Sequence, residues 1–423
     1  MTDGYINITK FTAASCGGRD WTAAFRKAVV CLEEKGGGTL FVPAGVYSTR
    51  SIQLKSFITL YLDNGAILDF KDDYENFSLV ETEFEGSTEM MYMPLLFADQ
   101  EQQICIKGSG CINGNGERAW KDKERLPFKR PYMICFQHCK GVRVEGVTLK
   151  NSPVWTLHPL YCDNVAIHGI TILNPSNSPN TDGINPDGCR NVRISDCYID
   201  VGDDCIAIKS GTELTPKRSC CENITITNCI MVHGHGGIVI GSEMSGDIRN
   251  VVVSNCVFQN TDRGIRIKTR RRRGGIVEML SFSNIMMDHV LCPFIINMYY
   301  CCGTSEEDLH VWDKEPYPVN DGTPLIRDIH VKDITAVEVS SAAGFIYGLA
   351  EQPVSNITLS NCSIRMDTDA KAAVPDMLAG IAAMKAAGFF LRNARNISFC
   401  NVKIYNTAGN SINLDDTVEL TMS

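Results

Sequence analysis

A short pattern that recurs along the chain restricts the possible folds more than any other feature. A turn residue, often Asn, precedes a segment in which apolar residues occupy every second position. Such alternation is typical of a β-strand with one buried face. The clearest copies begin at Gly141, Asn164, Asn191, Asn223 and Asn250, and weaker copies begin at Met279, Asp328, Asn356 and Asn396. From Val142 to Leu280, equivalent strand positions are 23, 27, 32, 27 and 29 residues apart. Self-similarity at such a period indicates a fold of stacked repeats.

Most repeats contain a second apolar segment, such as 205–210, 237–242 and 263–268. With several strands per repeat and no long helix between them, the sequence predicts an all-β fold. We expect a single-stranded right-handed parallel β-helix, in which each coil buries its inward side chains on the next coil. The alternative is a β-propeller, whose blades of about 40 residues fit these shorter repeats poorly.

The same reading predicts one domain over residues 1–423, because a solenoid has no single core that limits its size. Residues 1–38 form a cap region, in which an amphipathic helix over 20–35 begins at the N-cap Asp20 and ends at three glycines. Two stretches interrupt the repeat. The polar, Pro-rich stretch 303–324 is predicted to be a loop, and the Ala-rich stretch 369–387 a short inserted helix.

Cysteines keep fixed places in the repeat, either just before a strand or in its second half. We interpret them as a ladder of small buried hydrophobic residues rather than as metal ligands or disulfides. No pair of them has the CxxC spacing of a zinc site. The first residues lack a secretory signal, and 19 cysteines favour a reducing compartment, so the expected location is the cytoplasm.

The net charge of −9 argues against nucleic acid as a partner, although residues 270–273 are four arginines. That run is either a solvated rim or a means of drawing an anion toward the site. No apolar run is long enough to cross a membrane, so no membrane partner is expected. The sequence leaves the oligomeric state open.

Four polar motifs carry the chemistry: NTDG at 180–183, GDDC at 202–205, GHG at 234–236 and RIK at 266–268. From Asp182 to Asp204, His235 and Arg266 the steps are 22, 31 and 31 residues. Spacings close to the repeat predict that these groups meet in one column of a β-helix, with three carboxylates, an imidazole and two cations on one surface.

The crowded carboxylates of Asp182, Asp203 and Asp204 cannot all ionise easily, so the pKa of one of them rises. Glycoside hydrolysis needs that asymmetry, because one carboxyl protonates the leaving oxygen while another stays ionised. Asp203 and Asp204 can share a face only in a turn, which Gly202 permits. The alternative for an Asp pair beside Gly is a simple turn or a set of Ca²⁺ ligands.

His235 lies between two glycines, which allow the backbone and a substrate to approach closely, so we expect it to tune the acid or contact substrate. Arg266 and Lys268 alternate with isoleucines and therefore project on one face. Beside acids they are suited to hold a substrate carboxylate, Arg by its fork and Lys as a point charge.

Together these segments resemble the polygalacturonase family, the family 28 glycoside hydrolases. The resemblance extends from 36–68 (GGGTLFVPAGVYSTRSIQLKSFITLYLDNGAIL) through 108–116 (GSGCINGNG) and 151–155 (NSPVW) to the four motifs. It implies a right-handed parallel β-helix and hydrolysis with anomeric inversion, with no metal or cofactor. It assigns Asp203 as general acid, Asp182 and Asp204 as the groups that hold and activate water, and His235 as their support.

The resemblance also implies that Arg266 and Lys268 bind the galacturonate carboxylate and that Tyr300 contacts substrate. Asn180, at the head of the first motif, is included among the substrate-binding residues. Many family members carry Asp where this chain has Asn185, and we expect that difference to tune activity rather than abolish it.

The expected function is therefore hydrolysis of α-1,4 galacturonosidic bonds in pectin-derived oligogalacturonides, in an exo-acting manner typical of a bacterial branch. The partner is an acidic oligosaccharide. Alternatives are another uronide or rhamnogalacturonan glycosidase of the family, a Ca²⁺-dependent pectate lyase on the same fold, and a non-catalytic glycan-binding β-helix.

Overall fold

The recurring alternating segments form parallel β-ladders in the computed structural model, which describes residues 4–11, 20–301, 304 and 308–423. The chain forms two compact units, Met1–Asp203 and Asp204–Ser423, called here the first and the second unit. Strands one repeat apart pair in register, as Val142 does with Val165 and Val251 with Leu280. The predicted all-β, right-handed parallel β-helix is confirmed. The single domain over 1–423 stays a prediction.

In the first unit, three parallel ladders and one antiparallel hairpin account for the strands. The first ladder contains Tyr5–Asn7, Gly38–Val42, Ile58–Leu62, Gln102–Gly108, Lys140–Glu145, Asp163–His168 and Arg190–Ser195. The second contains Gly45–Thr49, Ala66–Phe70, Cys111–Asn113, Thr148–Lys150, Thr171–Leu173 and Tyr198–Val201. The third contains Ile52–Gln53, Leu96–Asp99, Ile134–Gln137 and Leu157–Leu160. The hairpin pairs Leu79–Phe84 with Ser87–Tyr92. The helices are Thr22–Glu34, Glu117–Lys121 and the 3₁₀ turns Ile8–Lys10 and Tyr74–Asn76.

In the second unit, two long parallel ladders contain the strands. One contains Cys221–Thr227, Ile230–His233, Ile248–Gln259, Ile276–Asp288, Leu325–Val339, Val354–Met366, Ala394–Tyr405 and Val418–Met422. The other contains Ile206–Ile208, Ile238–Gly241, Arg263–Lys268, Cys292–Asn297, Ala342–Tyr347, Ala387–Arg392 and Ile412–Leu414. Its one described helix is Leu309–Trp312.

The asparagines that open the repeats turn the backbone at the corner of each coil. Asn164, Asn191, Asn250 and Asn356 all have φ between 54° and 61°, in the left-handed region that asparagine tolerates better than most residues. Their side chains also stack from coil to coil. Asn250 Nδ2 donates to Asn223 Oδ1 at 3.1 Å, and similar bonds join other pairs. The asparagines that mark the turns in the sequence therefore also join successive coils through side-chain hydrogen bonds.

The cysteines of the repeat are small buried groups, as predicted. The 17 cysteines in the described part of the chain are free thiols. Several thiols donate to carbonyl groups of the preceding coil, for example Cys162 Sγ to Phe136 O at 3.1 Å and Cys189 Sγ to Pro159 O at 3.2 Å. They fill the core and satisfy backbone acceptors.

The N-terminal helix is confirmed at Thr22–Glu34. Its N-cap residue is Trp21 and not the predicted Asp20, although Asp20 accepts a hydrogen bond from the Thr22 amide at 2.9 Å. In the stretch 303–324, residues 303 and 305–307 lie outside the described residues, and the remainder contains the short helix Leu309–Trp312. The prediction of a helix in 369–387 is wrong. Pro375 and Gly380 interrupt its alanines, and the segment is a loop with one antiparallel bridge between Ala373 and Met384. Within the described ranges, no helix combines the length and the apolar character needed to cross a bilayer.

Candidate active site

In the first unit, the NTDG motif follows the ladder that ends at Leu157–Leu160. The Thr156 amide donates to Asp182 O at 2.9 Å and the Leu157 amide to Gly183 O at 3.0 Å, so the neighbouring coil fixes the motif's backbone. Asn180 has a φ of 55°. Arg130 holds this turn, because its Nη2 donates to Asn180 Oδ1 at 2.7 Å.

Arg130 is a residue that sequence reasoning missed. It is buried, and its Nη1 also donates to the carbonyl oxygens of Pro153 and Pro179 at 3.0 and 2.8 Å. Its burial lowers its own pKa, and the charge of Asp182 works against that effect. No local pattern marks it, since its partners lie 23 to 50 residues further along the chain.

The two carboxylates of the first unit come close together. Asp182 is buried, and its Oδ2 accepts from Asn185 Nδ2 at 3.1 Å. Asp203 is half-buried, and oxygens of the two side chains lie within 4.8 Å of each other. Gly202 is required before Asp203, because a Cβ there would lie 2.3 Å from Ser178 O. This distance brings together two of the three carboxylates that the sequence predicts to meet on one surface.

A carboxylate pair can hold a cation as well as a proton or a water molecule. Calcium takes six to eight oxygen ligands, and one oxygen of Asp182 is already engaged by the amide group of Asn185. The pair is close enough to share a proton, a water molecule or a cation. Asp204 follows Asp203 directly in the chain and belongs to the second unit.

In the second unit, Asp204 is buried and surrounded by cations. Lys268 Nζ donates to its Oδ2 at 2.9 Å, and Arg266 Nη1 lies 3.7 Å from its Oδ1. Burial alone would raise the pKa of Asp204, but the charges of Lys268 and Arg266 outweigh that effect and hold the pKa well below its usual range. Asp204 is therefore ionised at neutral pH.

The glycines of the GHG motif bring the next coil against Asp204. The Cys205 amide donates to Gly236 O at 2.8 Å. A Cβ on Gly236 would lie 2.5 Å from Val239 Cγ2 and 3.5 Å from Asp204 Oδ1. The side chain of His235 between these glycines is half-buried. The predicted close approach of backbone at this motif is confirmed, and the role of His235 stays a prediction.

The predicted column is wrong in its register. The ladder places Val239, not His235, beside Arg266, and Gly241 beside Lys268. Arg266 reaches Asp204 because its side chain is long. The irregular lengths of the turns between strands shift the register, so equal spacing in the sequence did not predict which residues lie side by side.

Arg266 and Lys268 alternate with isoleucines as predicted, but both are almost fully covered. Tyr300 lies over them, with Arg266 Cζ 5.4 Å and Lys268 Nζ 5.1 Å from the centre of its ring. Such contacts between a cation and an aromatic ring strengthen when water is excluded. Tyr300 thus lies with the two cations, and its contact with substrate stays a prediction.

A second buried ion pair stands beside this group. Lys209 Nζ donates to Glu243 Oε2 at 2.6 Å, and both side chains are buried. Burial would raise the pKa of Glu243, but the charge of Lys209 lowers it to about 2. Lys209 also contributes to holding Asp204 ionised. Both residues lie within segments that carry the motifs, yet their type alone gave no sign of their pairing.

The arginine run 270–273 has partners within the second unit. Arg270 and Arg273 bind the Glu213 carboxylate. Arg271 is buried, and its Nε donates to Glu351 Oε1 at 2.6 Å. Arg270, Arg271 and Arg273 therefore form ion pairs within the second unit, and the interpretation of the run as a solvated rim is wrong for these three side chains.

The coils and the charged group define a β-helical enzyme that keeps a carboxylate ionised between buried cations. A sequence model of the glycosyl hydrolases family 28 matches residues 79–383. A probable polygalacturonase of Vitis vinifera is 36% identical over 368 residues, covering 83% of this chain and 72% of that protein. The chain belongs to family 28 of the glycosyl hydrolases and is a glycoside hydrolase.

Two solved structures are similar over most of the chain. A hyperthermoactive exopolygalacturonase from Thermotoga maritima has a TM-score of 0.75 and 29% identity, covering 93% of this chain and 92% of that one. A family 28 exopolygalacturonase from Yersinia enterocolitica has a TM-score of 0.79 and 20% identity, covering 99% of this chain and 77% of that one. The second similarity shows the fold.

Proposed function

We propose that the enzyme hydrolyses galacturonosidic bonds in pectin-derived oligogalacturonides. The observation that carries this proposal is the ionised Asp204 with Lys268 bound to it at 2.9 Å. An ammonium group has three hydrogens, and Lys268 uses one of them in this bond. The other two can meet the carboxylate of an acidic sugar while the same cation keeps the adjacent catalytic carboxylate charged.

The surroundings of the carboxylates support the roles that the family resemblance implies. Asp204 is held ionised and so cannot supply a proton at neutral pH, which suits a group that activates water. The general acid is then Asp203, which is half-buried and follows Gly202 in an open turn. Asp182, fixed by Asn185, assists in holding the water. His235 supports this group, and Asn180, Lys268 and Tyr300 contact the sugar.

Exo action is the finer part of the proposal. The Thermotoga maritima protein, 29% identical, is described as an exopolygalacturonase. In the first unit, a cavity of about 650 Å³ is lined by the hairpin 79–92, by residues 123–130 and by Asn180. That volume is within the range of small-molecule sites. A cavity of this size, lined in part by Asn180, has room for the end of a short oligomer.

Inversion of the anomeric centre is proposed from the family resemblance rather than from spacing. Inverting enzymes separate acid and base by about 6.5–9.5 Å, whereas oxygens of Asp182 and Asp203 lie within 4.8 Å. Proton NMR of fresh product decides the question. The β anomer should form first from an α-linked substrate, and an initial α anomer would refute the mechanism.

Product profiling on oligogalacturonides of defined length tests the function itself. We expect monomer alone at early times, with no new ultraviolet absorbance and no loss of activity in a chelator. Mixed oligomers would contradict exo action, and an absorbing unsaturated product with chelator sensitivity would identify a lyase.

A cytoplasmic location is also proposed, supported by the free thiols of the described cysteines. Cell fractionation tests it.

A further inference from the structure

The stretch 369–387 approaches the strands that carry Arg266. Its residues 374–378, called here the 374–378 segment, are bound by side chains of two neighbouring strands and by the backbone at Tyr300. Arg263 Nε donates to Pro375 O at 2.8 Å, and Asn297 Nδ2 donates to Met377 O at 3.3 Å. Leu378 forms an antiparallel bridge with Tyr300. The segment is thus built into the second unit's charged group.

Asp376, at the centre of this segment, is a buried carboxylate with a partner on each oxygen. Its Oδ1 accepts from Arg266 Nη2 at 2.5 Å, and its Oδ2 accepts from Asn297 Nδ2 at 2.8 Å. Arg263 Nε lies 3.7 Å from Oδ1. Burying a carboxylate is costly unless it is paired and hydrogen-bonded. Keeping this charge buried next to Arg266 therefore requires a large desolvation free energy, which its partners must offset.

Arg266 lies between two carboxylates. Its Nη2 is bonded to Asp376, and its Nη1 lies 3.7 Å from Asp204. The face of Tyr300 covers it at 5.4 Å. The side chain is 1% exposed, whereas that of Lys268 is 8% exposed. A guanidinium fixed in this way cannot turn toward a substrate without breaking a buried ion pair. Lys268 uses one ammonium hydrogen to bind Asp204, so its other hydrogens can bind substrate, and its side chain is more exposed to solvent than that of Arg266.

We propose that Asp376 is a positioning residue of the active site, which holds Arg266 beside Asp204 and so leaves recognition of the substrate carboxylate to Lys268. This inference rests on the proposed function. It replaces the shared role that the family resemblance implied for Arg266 and Lys268, and it gives the 369–387 insertion a function.

Two kinetic signatures follow for Asp376→Asn. Its kcat should fall about 10- to 100-fold with little change in KM, because a charge-assisted bond that orients a catalytic neighbour is lost. The loss should be equal on a galacturonide and on its methyl ester, since Asp376 does not meet the sugar carboxylate. Asp376→Glu should recover part of the activity. Asp369→Asn, the same change at an exposed position of the insertion, is the matched control and should behave as wild type.

A double-mutant cycle tests whether Asp376 acts through Arg266. In an Arg266→Met background, Asp376→Asn should change kcat less than about threefold. Thermal unfolding supplies a readout independent of turnover. Arg266→Met should lower the melting temperature by removing the cation bonded to Asp376, which leaves only Arg263 at 3.7 Å to balance its charge. Adding Asp376→Asn should restore part of the melting temperature.

Additive losses in the cycle, or an Asp376→Asn enzyme with unchanged kcat, would overturn the inference. So would a loss confined to the acid substrate, because that would place Asp376 in carboxylate recognition. If the wild-type enzyme turned over no galacturonide, the proposed function would fail. The melting temperatures would then still decide whether Asp376 and Arg266 are coupled.

Discussion

At the scale of single residues, the second unit separates two tasks that both need positive charge. Lys268 and Arg266 hold Asp204 ionised, while Asp376 engages Arg266 from the other side. Burial raises the free energy of each of these ions, so every charge requires a partner close by. In this group Asp204, Arg266 and Asp376 are already paired with one another or with Lys268. The hydrogens of Lys268 that do not bind Asp204 are what the group offers to a substrate carboxylate.

Asp203→Asn should abolish nearly all turnover and leave folding and substrate binding largely intact. The amide cannot donate the proton that the leaving oxygen requires, and general acid catalysis contributes about 10²-fold or more. Initial rates and binding of an unreactive oligomer measure the two effects. Retention of more than about a tenth of the wild-type rate would remove Asp203 from the role of acid.

Lys268→Ala should lower kcat/KM by about one to two orders of magnitude on an acidic substrate, from the loss of a charge-assisted hydrogen bond. On the methyl ester the loss should be smaller, and what remains should reflect the lost support of Asp204. Both substrates are assayed with one enzyme preparation. Equal losses on both would show that Lys268 serves only Asp204.

At the scale of elements, strands were predictable and loops were not. Each repeat can be recognised from its own residues, because an asparagine such as Asn191 or Asn250 marks the turn and alternating apolar residues mark the buried face of the strand. The loop 369–387 depends instead on Asp376, whose partner Arg266 lies 110 residues away in the chain. No local propensity contains that information, so the alanines predicted a helix that the tertiary contacts override.

The candidate site was predictable to the same extent. Motifs identified the residues that the second unit brings together, Asp204, Arg266 and Lys268. They gave neither the buried partners nor the register, because both depend on turn lengths and on distant segments. Family resemblance supplied roles that geometry alone leaves open.

Arg271 should control the order of the segment 308–317. Its Nη1 donates to Asp313 O at 2.7 Å and its Nη2 to Glu315 O at 3.0 Å, and Tyr317 stacks 4.4 Å from its Cζ. Arg271→Met should therefore raise hydrogen exchange across 308–317 at least severalfold, since local opening follows lost contacts. Exchange in the strand Ile206–Ile208 is the internal control. Unchanged protection of 308–317 would mean that other contacts hold it.

At the scale of the whole molecule, buried carboxylates set the response to acid. Burial would raise the pKa values of Asp204, Glu243 and Asp376, but neighbouring cations hold all three below their usual range, that of Glu243 at about 2. These groups release protons more readily in the folded protein than in the unfolded chain, so unfolding takes up protons at acid pH.

Stability should therefore be complete above pH ~4, the ordinary carboxyl pKa, and should fall as the pH drops toward 2. Urea unfolding between pH 6 and pH 2.5 measures it. Glu243→Gln should show a shallower decline than wild type, because it has one fewer such group. A wild-type curve that stays flat down to pH 2.5 would contradict the electrostatic account.

The asparagine stacks bear on how this chain can change its length. The bond from Asn250 to Asn223 spans 27 residues and is 3.1 Å long, whereas the bond from Asn396 to Asn356 spans 40 residues and is 2.8 Å long. The extra residues include the 369–387 loop, and the ladder continues through them without a shift at Ile357 and Ile397. Such a corner tolerates inserted sequence at the cost of ordering that sequence alone. An insertion there can place new side chains, such as Asp376, at the active site. The stacking of the coils does not change, because the strands before and after the insertion still pair in register.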